Sequence, residues 1–174
     1  MIDRGTISKE YFLKGYNCSQ SVLLAFSDRT GLDEHFAAKL SSSFGGGMGR
    51  MREVCGAVSG MMMVLGILYG YDAADPTAKE DKTLHYSRVQ ELARRFREET
   101  GSLICRELLS GQVEKQKKEK DMDEEQASAM LSDSPIPTER TTTYYQKRPC
   151  AEFCALAARL VDEYMNELEL EKER

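Results

Sequence analysis

The sequence contains no Cys-x-x-Cys pair and no Cys-x-x-Cys-His run, so the usual signatures of thioredoxin-type exchange and covalent haem attachment are missing. It also has no basic stripe. With a formal charge of −5 and mixed signs along the chain, neither nucleic acid nor an anionic membrane surface is an expected partner. Met1-Ile2-Asp3-Arg4-Gly5 lacks the charged and apolar regions of a signal peptide, which makes the cytoplasm the expected location. Thiols are kept reduced there, and an odd count of five cysteines in 174 residues suits a disulfide framework poorly. Metal binding or redox chemistry is the better explanation for them. A second long apolar run is absent as well. The one charge-free stretch, eighteen residues from Val54 to Tyr71, lies at the short limit for a bilayer of about 30 Å. It holds Gly56, Gly60, Gly66 and Gly70 and reads as a buried core helix.

Strand-type alternation is missing except for a short extended piece expected at Thr141 to Tyr145, and there is no internal repeat. A chain of this length suits one core. The expectation is therefore an all-α, single-domain helical bundle of about six helices. Ser8 is the expected cap of a first helix carrying Tyr11 and Phe12, with Gly15 at its end. Asn17 caps a second, whose buried face is Val22, Leu23, Ala25 and Phe26 up to Gly31. Asp33 caps a third, with Phe36, Ala37 and Leu40 at helical spacing. Gly45-Gly46-Gly47 ends it, and a helix from about Glu53 to Tyr69 follows. Asp75-Pro76-Thr77 marks a turn before a long amphipathic helix with His85, Val89, Leu92, Ala93 and Phe96 on one side. Ser102 then caps a short helix holding Cys105, Leu108 and Leu109, closed by Gly111. From Gln112 to Arg140 the composition turns polar, as an exposed helix or mobile excursion followed by a loop. A terminal helix begins at Pro149, with Phe153, Cys154, Ala157, Leu160, Val161, Tyr164 and Leu168 on its apolar stripe.

Cys18, Cys55 and Cys150 each fall in the first turn of an expected helix. Free N–H groups and the helix dipole there favour a thiolate and metal ligation, and can lower a cysteine pKa from about 8.5 to roughly 3.5–7.5. Arg50, Arg52, Lys147 and Arg148 are close in sequence to two of these thiols and add to the effect if they face the sulfur. Cys18, Cys55, Cys105 and Cys150 together make a four-thiolate set suited to an iron–sulfur cluster or to zinc. Cys150 and Cys154 lie one turn apart with near-parallel Cα–Cβ bonds, a poor geometry for a disulfide. Gly56, Ala57 and Gly60 strip side-chain bulk from one helix face, so that a neighbouring helix or a cofactor can approach the backbone. His35 and His85 read as surface or boundary residues, the Gly45–Gly49 run as a packing turn rather than an anion cradle, and Met61-Met62-Met63 as core filling.

Tyr16-Asn17-Cys18-Ser19-Gln20-Ser21-Val22, Phe44-Gly45-Gly46-Gly47-Met48-Gly49, Cys55-Gly56-Ala57-Val58-Ser59-Gly60, Cys105 and Arg148-Pro149-Cys150 occur in the order of a known pattern. The chain resembles the redox-active family named for C-GCAxxG-C-C, with Cys55 preceding Gly56 where the name spells Gly before Cys. The resemblance implies an α-helical, redox-active protein whose four pattern cysteines are Cys18, Cys55, Cys105 and Cys150, with Cys154 outside the pattern. The leading expectation is that these four converge to carry electrons to an unidentified partner, through a cluster or reversible disulfides. The alternatives are a helical scaffold with structural zinc or packed thiols, and a binding module that forms a homodimer through the glycine-faced helix.

Overall fold

Asp3, not Ser8, starts the first helix. Its carboxylate accepts a hydrogen bond from the Thr6 N–H and caps α1 (Arg4–Leu13), while Ser8 lies fully buried inside that helix. Asn17 and Gln20 form a reciprocal capping box at the head of α2 (Cys18–Leu24). That arrangement satisfies two N–H groups a helix start leaves orphaned. A short turn, α3 (Ser27–Thr30), ends at left-handed Gly31, and Asp33 caps α4 (Glu34–Ser41). After a 3₁₀ turn at Ser42–Phe44 comes α5 (Gly45–Met48), a single irregular turn broken by left-handed Gly46 and Gly47. Then follow α6 (Gly56–Tyr69), α7 (Ala78–Thr100), α8 (Cys105–Lys118), α9 (Glu124–Leu131), α10 (Thr142–Lys147) and α11 (Cys150–Lys172).

This computed structural model describes residues 3–72, 74 and 78–173. Among them the architecture is all-α with no strand, as expected for one domain. Eight helices have seven or more residues, so the expected count of about six was approximate. The expected turn at Asp75-Pro76-Thr77 lies outside the described residues.

Helix α11 is the backbone of the core, packing on α1, α2, α6 and α7, while α2 packs on α6. Phe12, Leu23, Phe26, Met61, Leu65, Leu92, Phe96 and Met165 are all buried where these helices meet. Each such side chain contributes about 1.5–3 kcal/mol of transfer free energy. A smaller cluster of Leu109, Val113, Met122, Ala127 and Met130, joined by Cys105, lies between α8 and α9. The polar stretch from Gln112 thus supplies buried side chains.

Several sequence expectations are corrected. Thr141 to Tyr145 is not extended, because the Thr141 hydroxyl caps α10 by accepting from the Tyr144 N–H. Gly111 does not close the helix of Cys105, which runs through it to Lys118. Ser102 is not its cap, since the Ser102 hydroxyl accepts from the Ile104 N–H and donates to Glu107. Pro149 occupies the cap position of α11, one residue before its expected place. Of the three apolar residues expected on the face of α4 only Ala37 is buried, and Phe36 and Leu40 are 55% and 46% exposed. No helix among the described residues is long and apolar enough to cross a membrane.

Candidate functional site

Four cysteines stand at helix starts. Cys18, Cys105 and Cys150 are the first residues of α2, α8 and α11, and Cys55 is the cap residue of α6. Cys105 is the one whose position the sequence concealed, because Ser102 and Gly111 suggested different limits for its helix. All five cysteines are free thiols. Cys18, Cys55, Cys105 and Cys150 line one cavity of about 310 Å³.

Backbone glycines make that convergence possible. A Cβ on Gly56 would lie 3.0 Å from the Cys18 Cβ and 2.9 Å from the Phe44 carbonyl oxygen, and one on Gly60 2.7 Å from the Ser19 carbonyl oxygen. Only glycine lets α2 approach α6 this closely. The same face is therefore covered within the chain and is not free to form a dimer seam. Gly56 also borders the cavity, whereas Gly60 does not. Gly47, at φ +75°, brings the glycine turn against Cys105, where an added Cβ would sit 2.6 Å from the Cys105 Cβ.

The pattern's inverted order also has a spatial meaning. Position 56, one step into α6, is pressed against Cys18 and has no room for a side chain. The thiol instead stands at the preceding cap position.

Burial decides the charge state of these sulfurs. Burial pushes the Cys55 thiol up to about 12, reinforced by Cys105 and Cys150. Burial likewise raises Cys105, with Cys150 adding to it and Arg52 opposing. Cys150 is raised well above the usual thiol range by the side chain of Cys18 and by burial. Cys18 is raised too, the opposing contact with Cys150 being outweighed by Cys154, burial and the neighbouring thiols. The sequence expectation of helix-start thiolates is thus reversed. Desolvation disfavours the charged form more than the helix termini favour it. Cys154 is fully buried; burial raises its thiol, and its Sγ donates to the Cys18 carbonyl oxygen at 3.7 Å.

Arg50, Arg52, Arg140 and Arg148 line the cavity, and among the described residues no acidic side chain does. Of the four, Arg140 is the one the sequence did not single out, since its nearest cysteine, Cys150, is ten residues further on. Its guanidinium donates to the Phe12 carbonyl at 2.9 Å and stacks over the Phe12 ring at 4.6 Å. Tyr144 stands between Arg140 and Arg148, with cation–ring distances of 5.6 Å and 4.9 Å. Burial and nearby Cys150 raise its phenol to about 12. Among the described residues, no three His, Cys, Asp or Glu side chains form a group that could hold one metal ion. His35 is exposed, and the His85 Nδ1 lies 3.1 Å from the Tyr69 carbonyl oxygen. Neither histidine borders the cavity.

A family model described as "putative redox-active protein (C_GCAxxG_C_C)" matches residues 16–164. The chain belongs to this family. The matched span of this C_GCAxxG_C_C protein begins just before Cys18 and includes Cys55, Cys105 and Cys150. No curated protein and no solved structure gives a significant match to it.

Proposed function

We propose that this chain is a redox protein in which Cys18, Cys55, Cys105 and Cys150 act as one electron-carrying centre, working in the cytoplasm with an electron-transfer partner. The observation that carries this reading is that sulfurs from four separate helix starts line a single cavity. The placement of Cys18 and Cys150 on the lining of the same cavity supports a dithiol–disulfide couple. Closing that bond breaks two S–H bonds, forms one S–S bond and delivers two electrons and two protons to the oxidant.

A second reading, an iron–sulfur cluster, is favoured by the cavity's lining of four cysteines and four arginines. Cys18, Cys55, Cys105 and Cys150 are the ligand type such clusters use, and arginines suit the negative charge that four thiolates bring. When bound, the cluster would supply one-electron transfer. Protein purified without oxygen tests both readings, through its iron and acid-labile sulfide content, its absorption spectrum and a count of free thiols before and after mild oxidation. Iron with matching sulfide selects the cluster, and reversible loss of two thiols selects the dithiol. If neither appears, the redox reading is wrong.

A further inference from the structure

Among the described residues, the four arginines around the thiols have no carboxylate partner. The ion pairs there use Arg4, Lys9, Arg29, Arg94, Arg95, Arg106, Lys117, Lys147 and Arg159, and none uses Arg50, Arg52, Arg140 or Arg148. Yet Arg52 and Arg148 are only 3% and 8% exposed, and buried cations are ordinarily paired because desolvating them is costly.

Neutral carbonyls hold them in place. Arg52 donates through Nε and Nη2 to the Ser132 oxygen at 3.0 and 2.7 Å, and Arg50 Nε donates to the Ser134 oxygen at 2.6 Å. Arg148 donates to the Ala129 oxygen at 3.3 Å. These bonds orient the side chains and leave their charge uncompensated. The repulsion is visible at Arg50, whose guanidinium is pushed below its ordinary value by burial and then by Arg52 and Arg148.

Arg50 and Arg52 also hold unusual backbone positions, at φ +72° and +62°. Left-handed backbone costs a non-glycine residue about 1 kcal/mol or more. The glycine turn thus spends conformational energy to present two cations to one cavity.

We propose that this cavity binds a small inorganic oxyanion between these guanidinium groups, and that the thiols beside it are its two-electron reductant. The proposal rests on the dithiol reading of the centre. Guanidinium forks match oxyanion geometry, and about 310 Å³ is ample for one such ion. In the redox step one bond from the central atom to oxygen breaks, and that oxygen leaves as water with the hydrogens of Cys18 and Cys150. Two S–H bonds break, one S–S bond forms, and the central atom gains the two electrons that the sulfurs lose. The net charge of the oxyanion is unchanged.

Phosphate and arsenate, alike in shape but different in reducibility, separate binding from reduction. Calorimetric titration of reduced, chelator-treated full-length protein at constant ionic strength is expected to show both ions binding. Arg50→Gln and Arg52→Gln are each expected to weaken binding at least tenfold while keeping the helical circular dichroism spectrum. In a single anaerobic turnover, arsenate is expected to yield one arsenite and remove two free thiols per chain, whereas phosphate removes none. Cys18→Ser should bind arsenate without reducing it. Absence of binding, binding indifferent to both arginine variants, or bound arsenate that consumes no thiol would overturn the proposal. If the thiols still oxidise reversibly with another oxidant, the redox reading stands and only this inference falls.

Discussion

Cys55 and Cys105 are fixed beside each other by main chain. The Cys55 N–H donates to the Leu103 carbonyl at 2.8 Å and the Cys105 N–H to the Glu53 carbonyl at 2.7 Å, on either side of an antiparallel bridge between Val54 and Ile104. The bridge joins the starts of α6 and α8, so two thiols distant in sequence share one small rigid frame.

Gly47 closes that frame, with its turn pressed on Cys105. Gly47→Ala is expected to destabilise the protein by about 3 kcal/mol, because left-handed backbone and a clash with the Cys105 Cβ add together. Gly111→Ala is the opposite case. Nothing lies within 4 Å of the position an added Cβ would take there, and the residue sits inside α8, so alanine should stabilise by about 0.5–1 kcal/mol. Urea unfolding of the reduced proteins measures both, and equal effects would mean that the frame at Cys105 is loose.

Raised thiols make stability fall in alkali. An unfolded cysteine titrates near 8.5, while Cys55 in the folded chain titrates at about 12. Between these values the folded state holds the proton and the unfolded state does not. Stability is therefore fully present below about pH 8.5 and declines as pH rises towards 12, by roughly 1 kcal/mol per pH unit for each such thiol. Anaerobic urea midpoints from pH 7.5 to 10 should fall, and Cys55→Ala should flatten the slope. A pH-independent midpoint would contradict the burial of these sulfurs.

Much of this architecture was legible from local chemistry. Asn17 and Asp33 cap the helices they were expected to cap, and Cys154, Ala157, Leu160 and Val161 form a buried stripe on α11. Local signals failed where distant partners decide. Ser102 looks like a cap, but Cys105 begins its helix because the bridge to Val54 sets the chain's direction there. The bonds from Arg50 to Ser134 and from Arg52 to Ser132 span 84 and 80 residues, and nothing in the spacing of those residues announces them. The thiolate expectation failed for a related reason: helix starts are visible in a sequence, whereas the depth at which they are buried is not.

Arg4 provides a test of buried charge that is properly paired. It meets Asp28 through two hydrogen bonds of 2.6 and 2.7 Å, donates to the Ala25 carbonyl at 2.8 Å and lies over the Phe26 ring. Asp28→Asn leaves this buried cation with only Asp162, at 3.9 Å. The expected cost is about 1–2 kcal/mol at pH 7, kept small because the Asp28 side chain is half exposed and water screens the pair. The hydrogen bond from Arg4 lowers the Asp28 carboxyl below its ordinary value. Its contribution is thus present above about pH 4 and fades as pH falls through the lowered value. The gap between the two proteins' urea midpoints should shrink on going from pH 7 to pH 3, and a constant gap would refute the ion-pair account.

Cys154 separates packing from chemistry. It lies one turn beyond Cys150 on α11, is fully buried and does not border the cavity. Its Sγ donates to the carbonyl of Cys18. A buried sulfur in that setting behaves as a small hydrophobe, so Cys154→Ala should cost about 1–2 kcal/mol through a small void. Four thiols and the reversible oxidation should remain. Cys18→Ser or Cys150→Ser should instead abolish the oxidation with a comparable change in stability. Thiol counting on the three variants before and after mild oxidation decides the matter. Loss of oxidation in Cys154→Ala would make this residue part of the centre, with Cys18 then paired towards α11's second turn.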